Sequence, residues 1–108
     1  MHQIRIDIGV CTILNINLSD TDFTGVEKII FTVKNFPTVG SPVIIERVFT
    51  EPKPYKVIIT PEESIKLAHT AGFDFNKVLI DGTRLKMDDN GKVTLRQGVG
   101  YDIDRSNQ

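Results

Sequence analysis

The chain has 108 residues, of which 40% are hydrophobic and 25% are charged, with 13 basic and 14 acidic side chains. A chain of this length buries roughly two thirds of its unfolded surface, which is enough for one core. The charges are interspersed, without the run of one sign expected of a protein that binds nucleic acid or anionic membranes. We therefore expect residues 1–108 to form one globular domain, with neither nucleic acid nor membrane as a partner.

The N-terminal stretch and the cysteine content predict a cytoplasmic protein. Cys11 is the single cysteine, which excludes an internal disulfide and is typical of a reducing compartment. Arg5, Asp7 and Asn15 interrupt the apolar residues of the first eighteen positions. This stretch therefore predicts neither a signal peptide nor a transmembrane helix.

Period-two alternation of apolar and polar residues dominates the first half of the chain and predicts strands with one buried face. The segments IRIDIGV and CTILNINL are separated by a break at Gly9 and Val10, and SDTDFTG is the turn that follows them. FPTVGSP, with two prolines, is the loop between the strands VEKIIFTVKN and VIIERVFT, and YKVIIT is the next strand. The residues predicted to face inward are Ile4, Ile6, Ile8, Leu14, Ile16, Leu18, Ile29, Phe31, Val33, Tyr55, Val57 and Ile59.

Beyond residue 72 the sequence predicts a long strand followed by hairpins. In GFDFNKVLID the apolar residues change face between Phe75 and Val78, which a β-bulge near Asn76 explains. Asp81-Gly82 and Asn90-Gly91 are the strongest hairpin signals of the chain. RLKMD and KVTLR are therefore predicted to pair around the second signal.

The segment ITPEESIKLAHTAGFDF differs from the rest of the chain because it predicts a helix. Thr60 is a good N-cap, Pro61 suits the first helical position, and Glu63 completes a capping box. The helix is predicted over about 61–70, with Ile65 directed into the core. A helix of this length suits a connector that crosses from one sheet to another.

Short strands at fairly regular spacing predict an all-β fold, an antiparallel sandwich or barrel. The one short connector helix favours the antiparallel immunoglobulin-like β-sandwich, because such domains often have a helical turn where the chain crosses between the sheets. Such domains often carry a tyrosine after the connector whose hydroxyl bonds back to it. Phe73 takes that place here, which keeps the ring packing without the hydrogen bond. A last strand is predicted near Val99 and Tyr101, before a frayed end. The predicted core includes Ile29, Phe31, Val33, Val57, Ile59, Ile65 and Phe73.

The acidic clusters of the sequence do not match a metal-binding motif. Asp20–Gly25 begins like a calcium loop, but Thr24 is at the fifth position and Phe31 is at the twelfth, where a bidentate glutamate is required. The polar residues of Asp88–Gly91 are explained by the predicted hairpin.

No catalytic pattern is present in the sequence either. His2, His69 and Cys11 lack metal-ligand spacing. Glu62 and Glu63 are adjacent, so on a helix their side chains point about 100° apart and make a poor acid–base pair. The sequence therefore predicts a protein that is not an enzyme, with no catalytic, cofactor-binding or metal-binding residues.

Four segments together resemble a known family. TGVEKIIFTVKN, VIIERVFT, YKVIITPEESIKL and GFDFNKVLIDG, in this order, resemble the small β-sandwich domains of tailed-phage structural proteins, in particular the N-terminal domain of baseplate upper proteins. The resemblance covers roughly Thr24 to Gly82, and its motifs are structural ones without catalytic residues. GFDFNKV departs from the family pattern, which has tyrosines where this chain has phenylalanines.

The resemblance implies a non-enzymatic structural component of a phage or prophage virion, in the tail or baseplate. Its implied partners are other virion proteins, with self-association as a further expectation. Its implied location is the bacterial host cytoplasm during assembly and then the virion. The alternative is an immunoglobulin-like binding or adhesion module that recognises a protein or a sugar, and a small enzyme is the third reading.

Overall fold

The computed structural model describes residues 3–36 and 40–97, and these residues form seven strands and one short helix. The prediction of an all-β fold with one short helix is confirmed. The predicted strand near Val99 and Tyr101 and the frayed end lie outside the described residues. The elements are β1 (Gln3–Ile8), β2 (Thr12–Asn17), β3 (Val26–Lys34), β4 (Val43–Phe49), β5 (Pro54–Ile59), α1 (Pro61–Ser64), β6 (Gly72–Leu79) and β7 (Arg84–Gln97).

The strands form a five-stranded sheet in the order β1-β7-β6-β3-β4 and a two-stranded ribbon of β2 and β5. Among the described residues, every neighbouring pair is antiparallel except β1 and β7, which run parallel with Ile4 opposite Val93. The expectation of a wholly antiparallel fold was wrong at this pair. Alternation shows which face of a strand is buried, but it does not show the direction of the neighbouring strand. The immunoglobulin-like sandwich stays a prediction.

One core cluster joins the inner faces of the five-stranded sheet and the ribbon. Phe31 is the largest fully buried side chain, and its ring centroid lies 5.1 Å from that of Phe75 and 6.1 Å from that of Phe73. Tilted aromatic pairs at these distances add to the stabilisation from buried area. Six of the seven predicted core residues are buried, namely Ile29, Phe31, Val33, Val57, Ile59 and Phe73.

The connector helix is shorter than the predicted range of about 61–70, because α1 ends at Ser64. The side chain of Asn35, just after β3, donates from Nδ2 to the Lys66 carbonyl at 2.9 Å and accepts from the Ala68 N–H at 2.8 Å. Further helical turns would need these two main-chain groups for their own hydrogen bonds. A tertiary contact therefore ends a helix that the local sequence would continue.

The early end of α1 also changes which apolar side chain is buried. Ile65, predicted in the core, is 54% exposed, whereas Leu67 is only 8% exposed. The core position assigned to Ile65 was wrong, because the chain leaves helical geometry before the predicted face is complete.

These two side chains provide a test of the shortened helix. Leu67→Ala is expected to lower the free energy of unfolding by about 2–5 kcal/mol, as for other buried leucines. Ile65→Ala is expected to change it by less than about 0.5 kcal/mol, because that side chain is at the surface. Urea denaturation of both variants measures the difference. A larger loss of unfolding free energy for Ile65→Ala than for Leu67→Ala would indicate that the longer predicted helix is correct.

The start of α1 agrees with the predicted capping box. The Glu63 N–H donates to Thr60 Oγ1 at 3.1 Å, and the Thr60 N–H donates to Glu63 Oε1 at 3.0 Å. Pro61 occupies the first helical position. Both partners thus satisfy main-chain donors that the first turn leaves without intrahelical acceptors.

Replacing Thr60 with Ala is expected to lower the free energy of unfolding by about 1 kcal/mol, because the Glu63 N–H loses its acceptor. Thr60→Ser keeps the hydroxyl and is the matched control. Thermal and urea unfolding of the two variants should separate them, and an alanine variant as stable as the serine variant would show that the cap contributes nothing.

The two predicted hairpins have different outcomes. β6 and β7 form a hairpin around Asp81-Gly82, where Gly82 has a φ of +93° and the Leu79 N–H donates to the Thr83 carbonyl at 2.8 Å. The hairpin predicted at Asn90-Gly91 is not formed, because β7 continues through these residues.

The irregularity predicted near Asn76 is on β7 and not on β6. β6 pairs with β3 in unbroken register across Asn76. On β7, Asn90 opposes Asp74 and Lys86 opposes Asn76, so three residues lie opposite the single residue Phe75. The bulge therefore comprises residues 87–89, while Asn90 and Gly91, which were interpreted as a turn, pair with β6. A bulge of this kind bends the strand.

A tyrosine that bonds back to a connector is present, but at Tyr55 and not at the Phe73 position. The Tyr55 hydroxyl donates to the Glu51 carbonyl at 3.0 Å and accepts from the Glu51 N–H at 3.1 Å. Its ring lies 4.5 Å from the ring of Phe49. These contacts fix the connection by which the chain passes from β4 in the five-stranded sheet to β5 in the ribbon.

Candidate interaction face on the ribbon of β2 and β5

The ribbon has one buried face and one exposed face. Thr12, Leu14 and Ile16 of β2 are buried, and the side chains between them are exposed. β5 alternates in the same way, and the register places exposed residues of the two strands opposite each other. We call the six exposed side chains the ribbon face; they are Ile13, Asn15, Asn17, Pro54, Lys56 and Ile58.

Two large apolar side chains lie side by side on the ribbon face. Ile13 and Ile58 are opposite each other in the ladder and are 59% and 54% exposed. Directly opposite side chains in an antiparallel pair have Cβ atoms about 4.5–5.5 Å apart, so the two isoleucines form one continuous apolar surface. Lys56 is the single charged side chain of the ribbon face.

The other end of the ribbon face is concave. A hollow of about 220 Å³ opens beside Asn15, Asn17, Pro54 and Lys56, with Ile16 and Tyr55 in its lining. The ribbon face therefore combines exposed apolar surface with neighbouring polar side chains, as protein–protein contacts do.

A single arginine attaches the ribbon to β4 and α1. Nη2 of Arg47 on β4 donates to the Ile58 carbonyl at 2.9 Å and to Glu63 Oε1 at 2.8 Å, and its Nη1 donates to the Glu46 carbonyl at 2.9 Å. A two-stranded ribbon by itself is marginally stable in water. This guanidinium therefore helps to hold β5 in place where the edges of the two sheets diverge.

Two hydroxyl groups hold the opposite side of the ribbon. The Asp7 N–H at the end of β1 donates to Thr12 Oγ1 at 2.8 Å, and the Gly9 N–H donates to Ser64 Oγ at 2.9 Å. Ser64 is fully buried. β1 is an edge strand of the five-stranded sheet, so these side chains supply acceptors that a second neighbouring strand would provide, and they fix the turn that leads from β1 into β2.

The contacts of Glu63 with Arg47 and Thr60 change the pKa of the Glu63 carboxylate. Burial of the carboxylate tends to raise its pKa, but hydrogen bonds from the Arg47 side chain and the Thr60 main chain outweigh this effect and hold the pKa below its ordinary value. A pKa lowered by folding means stabilisation that is present above the unfolded-state pKa and is lost as the pH falls through the folded-state pKa.

The pH dependence of the free energy of unfolding tests the contacts of Glu63 with Arg47 and Thr60. From neutral pH through the ordinary value of 4.5 and below, the free energy of unfolding should fall as Glu63 takes up a proton. Glu63→Gln should be less stable at neutral pH, with a shallower loss in the acid range. Urea denaturation over a pH series measures both, with Glu62→Gln at an exposed neighbouring position as the control. If the free energy of unfolding falls equally steeply with decreasing pH in Glu63→Gln and Glu62→Gln, the stabilising role assigned to Glu63 is wrong.

The residues considered as metal ligands are not brought together. Asp22 forms a local turn by accepting from the Thr24 N–H at 2.8 Å, and this bond lowers its pKa. Cys11 and His69 are both exposed, and His69 lies beyond the end of α1. His2 lies outside the described residues. Within 3–36 and 40–97, no three histidine, cysteine or acidic residues form a group that would hold a metal ion.

Sequence reasoning identified the inner residues of the ribbon but missed its exposed apolar pair. The visible signal was the occurrence of two consecutive apolar residues in each strand, Ile13-Leu14 in β2 and Ile58-Ile59 in β5. In a strand, consecutive side chains point to opposite faces, so such a pair places one apolar residue on the solvent side.

Comparison with known proteins finds no matching family model, no similar curated protein and no similar solved structure. In the described part of the chain, α1 is the one helix, and it is far too short to cross a membrane.

Proposed function

We propose that this protein is a non-enzymatic structural component that docks to other protein subunits through the ribbon face. The observation that carries the proposal is the exposed pair of Ile13 and Ile58. Burying an apolar side chain that is now exposed stabilises a complex by roughly 25 cal/mol per Å² of apolar surface removed from water, before the costs of association.

The site of assembly in this proposal is the tail or baseplate of a phage or prophage virion. The resemblance of Thr24–Gly82 to the β-sandwich domains of baseplate upper proteins supports this location. The protein would be made in the bacterial host cytoplasm and then incorporated into the virion. Its partners would be other virion proteins, with copies of itself as the second class of partner.

Charge substitution on the ribbon face tests the docking step. Ile13→Asp and Ile58→Asp are each expected to weaken association at least tenfold, because a carboxylate would enter an apolar contact. Their free energies of unfolding should change by less than about 0.5 kcal/mol, since both positions face solvent in the monomer. Light scattering after size exclusion, over a wide concentration range, measures self-association, and co-purification with induced particles measures docking to other subunits.

Val48→Asp is the matched control, because Val48 is 50% exposed but lies on β4 of the other sheet. A parent protein that stays monomeric and fails to co-purify with particles would exclude the structural role. Mass spectrometry of purified particles and of the cell surface separates this role from the alternative. Detection at the surface only would favour the immunoglobulin-like binding or adhesion module.

A further inference from the structure

A hollow of about 170 Å³ on the five-stranded sheet is lined by Lys34 and Lys86. Gly72 of β6 also lines it, and the residues paired with Gly72 are Lys34 on β3 and Lys92 on β7. Val33 and Val93, next to these lysines, are buried, so Lys34 and Lys92 point away from the core. With strands ~4.8 Å apart, the Cα atoms of Lys34 and Lys92 are about 10 Å apart. Gly72 thus leaves a position without a side chain between Lys34 and Lys92, next to the hollow.

The packing of the main chain favours glycine at this position. A Cβ atom on Gly72 would lie 3.1 Å from the Gly91 carbonyl oxygen, closer than an ordinary van der Waals contact. Any larger residue would also fill the space between the lysines. The open volume of about 170 Å³ corresponds to about six waters at ~30 Å³ each, which is room for one small polar side chain.

The described carboxylate in the lining of the hollow is already engaged. Asp74 Oδ1 accepts hydrogen bonds from Thr32 Oγ1 at 2.7 Å and from Asn76 Nδ2 at 2.9 Å. Both donors point along the sheet to this one oxygen. Asp74 is thereby fixed as part of the sheet surface.

The cations of the hollow are all donors without acceptor atoms. Lys34 and Lys86 line it and Lys92 flanks it. Among the described side chains, which do not include those of residues 88–90 and 97, the ion pairs involve other cations, namely Arg5, Arg47, Lys53 and Arg96. An ammonium group donates three hydrogen bonds and accepts none. With Lys34, Lys86 and Lys92 around the single described carboxylate of Asp74, the hollow has an excess of positive charge, so it favours an anionic ligand such as a carboxylate over a neutral sugar.

We propose that this hollow, which we call the lysine hollow, binds an acidic side chain from an extended segment of a partner protein. Phe36 lines the hollow and is 53% exposed, so it offers an apolar surface to a residue next to the acid. Aromatic residues beside polar contacts are typical of protein interfaces. The lysine hollow lies on the five-stranded sheet, so this inference does not depend on the ribbon face or on the proposed assembly.

The test is a titration of the ¹⁵N-labelled protein with a blocked tetraglutamate peptide, followed by amide chemical shifts. Shifts should be largest at the amides of Gly72 and Gly91, and a blocked tetraglutamine peptide should cause none. Lys34→Gln and Lys92→Gln should each weaken binding about three- to fivefold, which is the effect of one exposed ion pair. Lys53→Gln, at an exposed cation far from the lysine hollow in the fold, should leave the affinity unchanged. Added salt should weaken binding to the parent protein.

Three outcomes would overturn the inference. The first is a set of small shifts spread over all lysines, with equal affinity in Lys34→Gln and Lys53→Gln. The second is a saturating titration without shifts at Gly72 and Gly91. The third is tighter binding of inorganic phosphate or galacturonate at the same amides, which would assign the hollow to a free anion or an acidic sugar. The amide spectrum of each variant shows whether it is folded. Because Lys34→Gln and Lys92→Gln are both expected to weaken binding, one of them can serve if the other does not fold.

Discussion

The hydrogen-bonded ion pair of Arg47 and Glu63 is the interaction on which the arrangement of the two sheets depends. It connects β4 at the edge of the large sheet, the main chain of β5 in the ribbon, and the first turn of α1. Glu63 has a second role, since the same carboxylate accepts the Thr60 N–H in the capping box. Both side chains are partly shielded, with 30% and 24% of their surfaces exposed. Charge-assisted hydrogen bonds of this kind are stronger than neutral ones, and they are weakened less by salt than those between fully exposed charges.

Side-chain hydrogen bonds to the main chain also occur near two other strand ends. Just after β3, the side chain of Asn35 bonds to the main chain of residues 66 and 68. At the end of β1, the hydroxyls of Thr12 and Ser64 accept hydrogen bonds from the main chain. Buried main-chain groups require partners, and a small protein with short strands has many strand ends. Polar side chains at these ends give hydrogen-bond partners to main-chain groups where the chain leaves a strand. The polar residues next to the strands therefore determine the architecture as much as the apolar residues within them.

The sequence allowed the buried face of each strand to be predicted more reliably than the partners of the strands. Alternation depends on neighbouring residues only, and it placed residues such as Phe31 and Val57 correctly in the core. The capping box at Thr60 is equally local and was also found. The length of α1 depends on Asn35, which is distant in sequence from the helix that it ends, and no local pattern contains that information.

The candidate faces show the same limit. The Ile13–Ile58 pair was visible as consecutive apolar residues, but the partnership of the two strands was needed to bring them together. The lysine hollow was not visible at all, because Lys34, Gly72 and Lys92 come from three different strands and become neighbours only through the register. Sites formed by rows across a sheet require the strand order, which alternation does not provide.

The parallel pairing of β1 with β7 has a consequence for how the protein folds. During synthesis, residues 3–8 leave the ribosome long before residues 92–97, which are their partners. Translation at roughly 5–20 residues per second leaves β1 without its neighbour for several seconds. Contacts between distant parts of a chain also slow folding, since the loop between them must close before the pairing stabilises it. β1 is therefore expected to join the sheet in a late step of folding, and in the meantime its apolar face is open to chaperones and to other nascent chains.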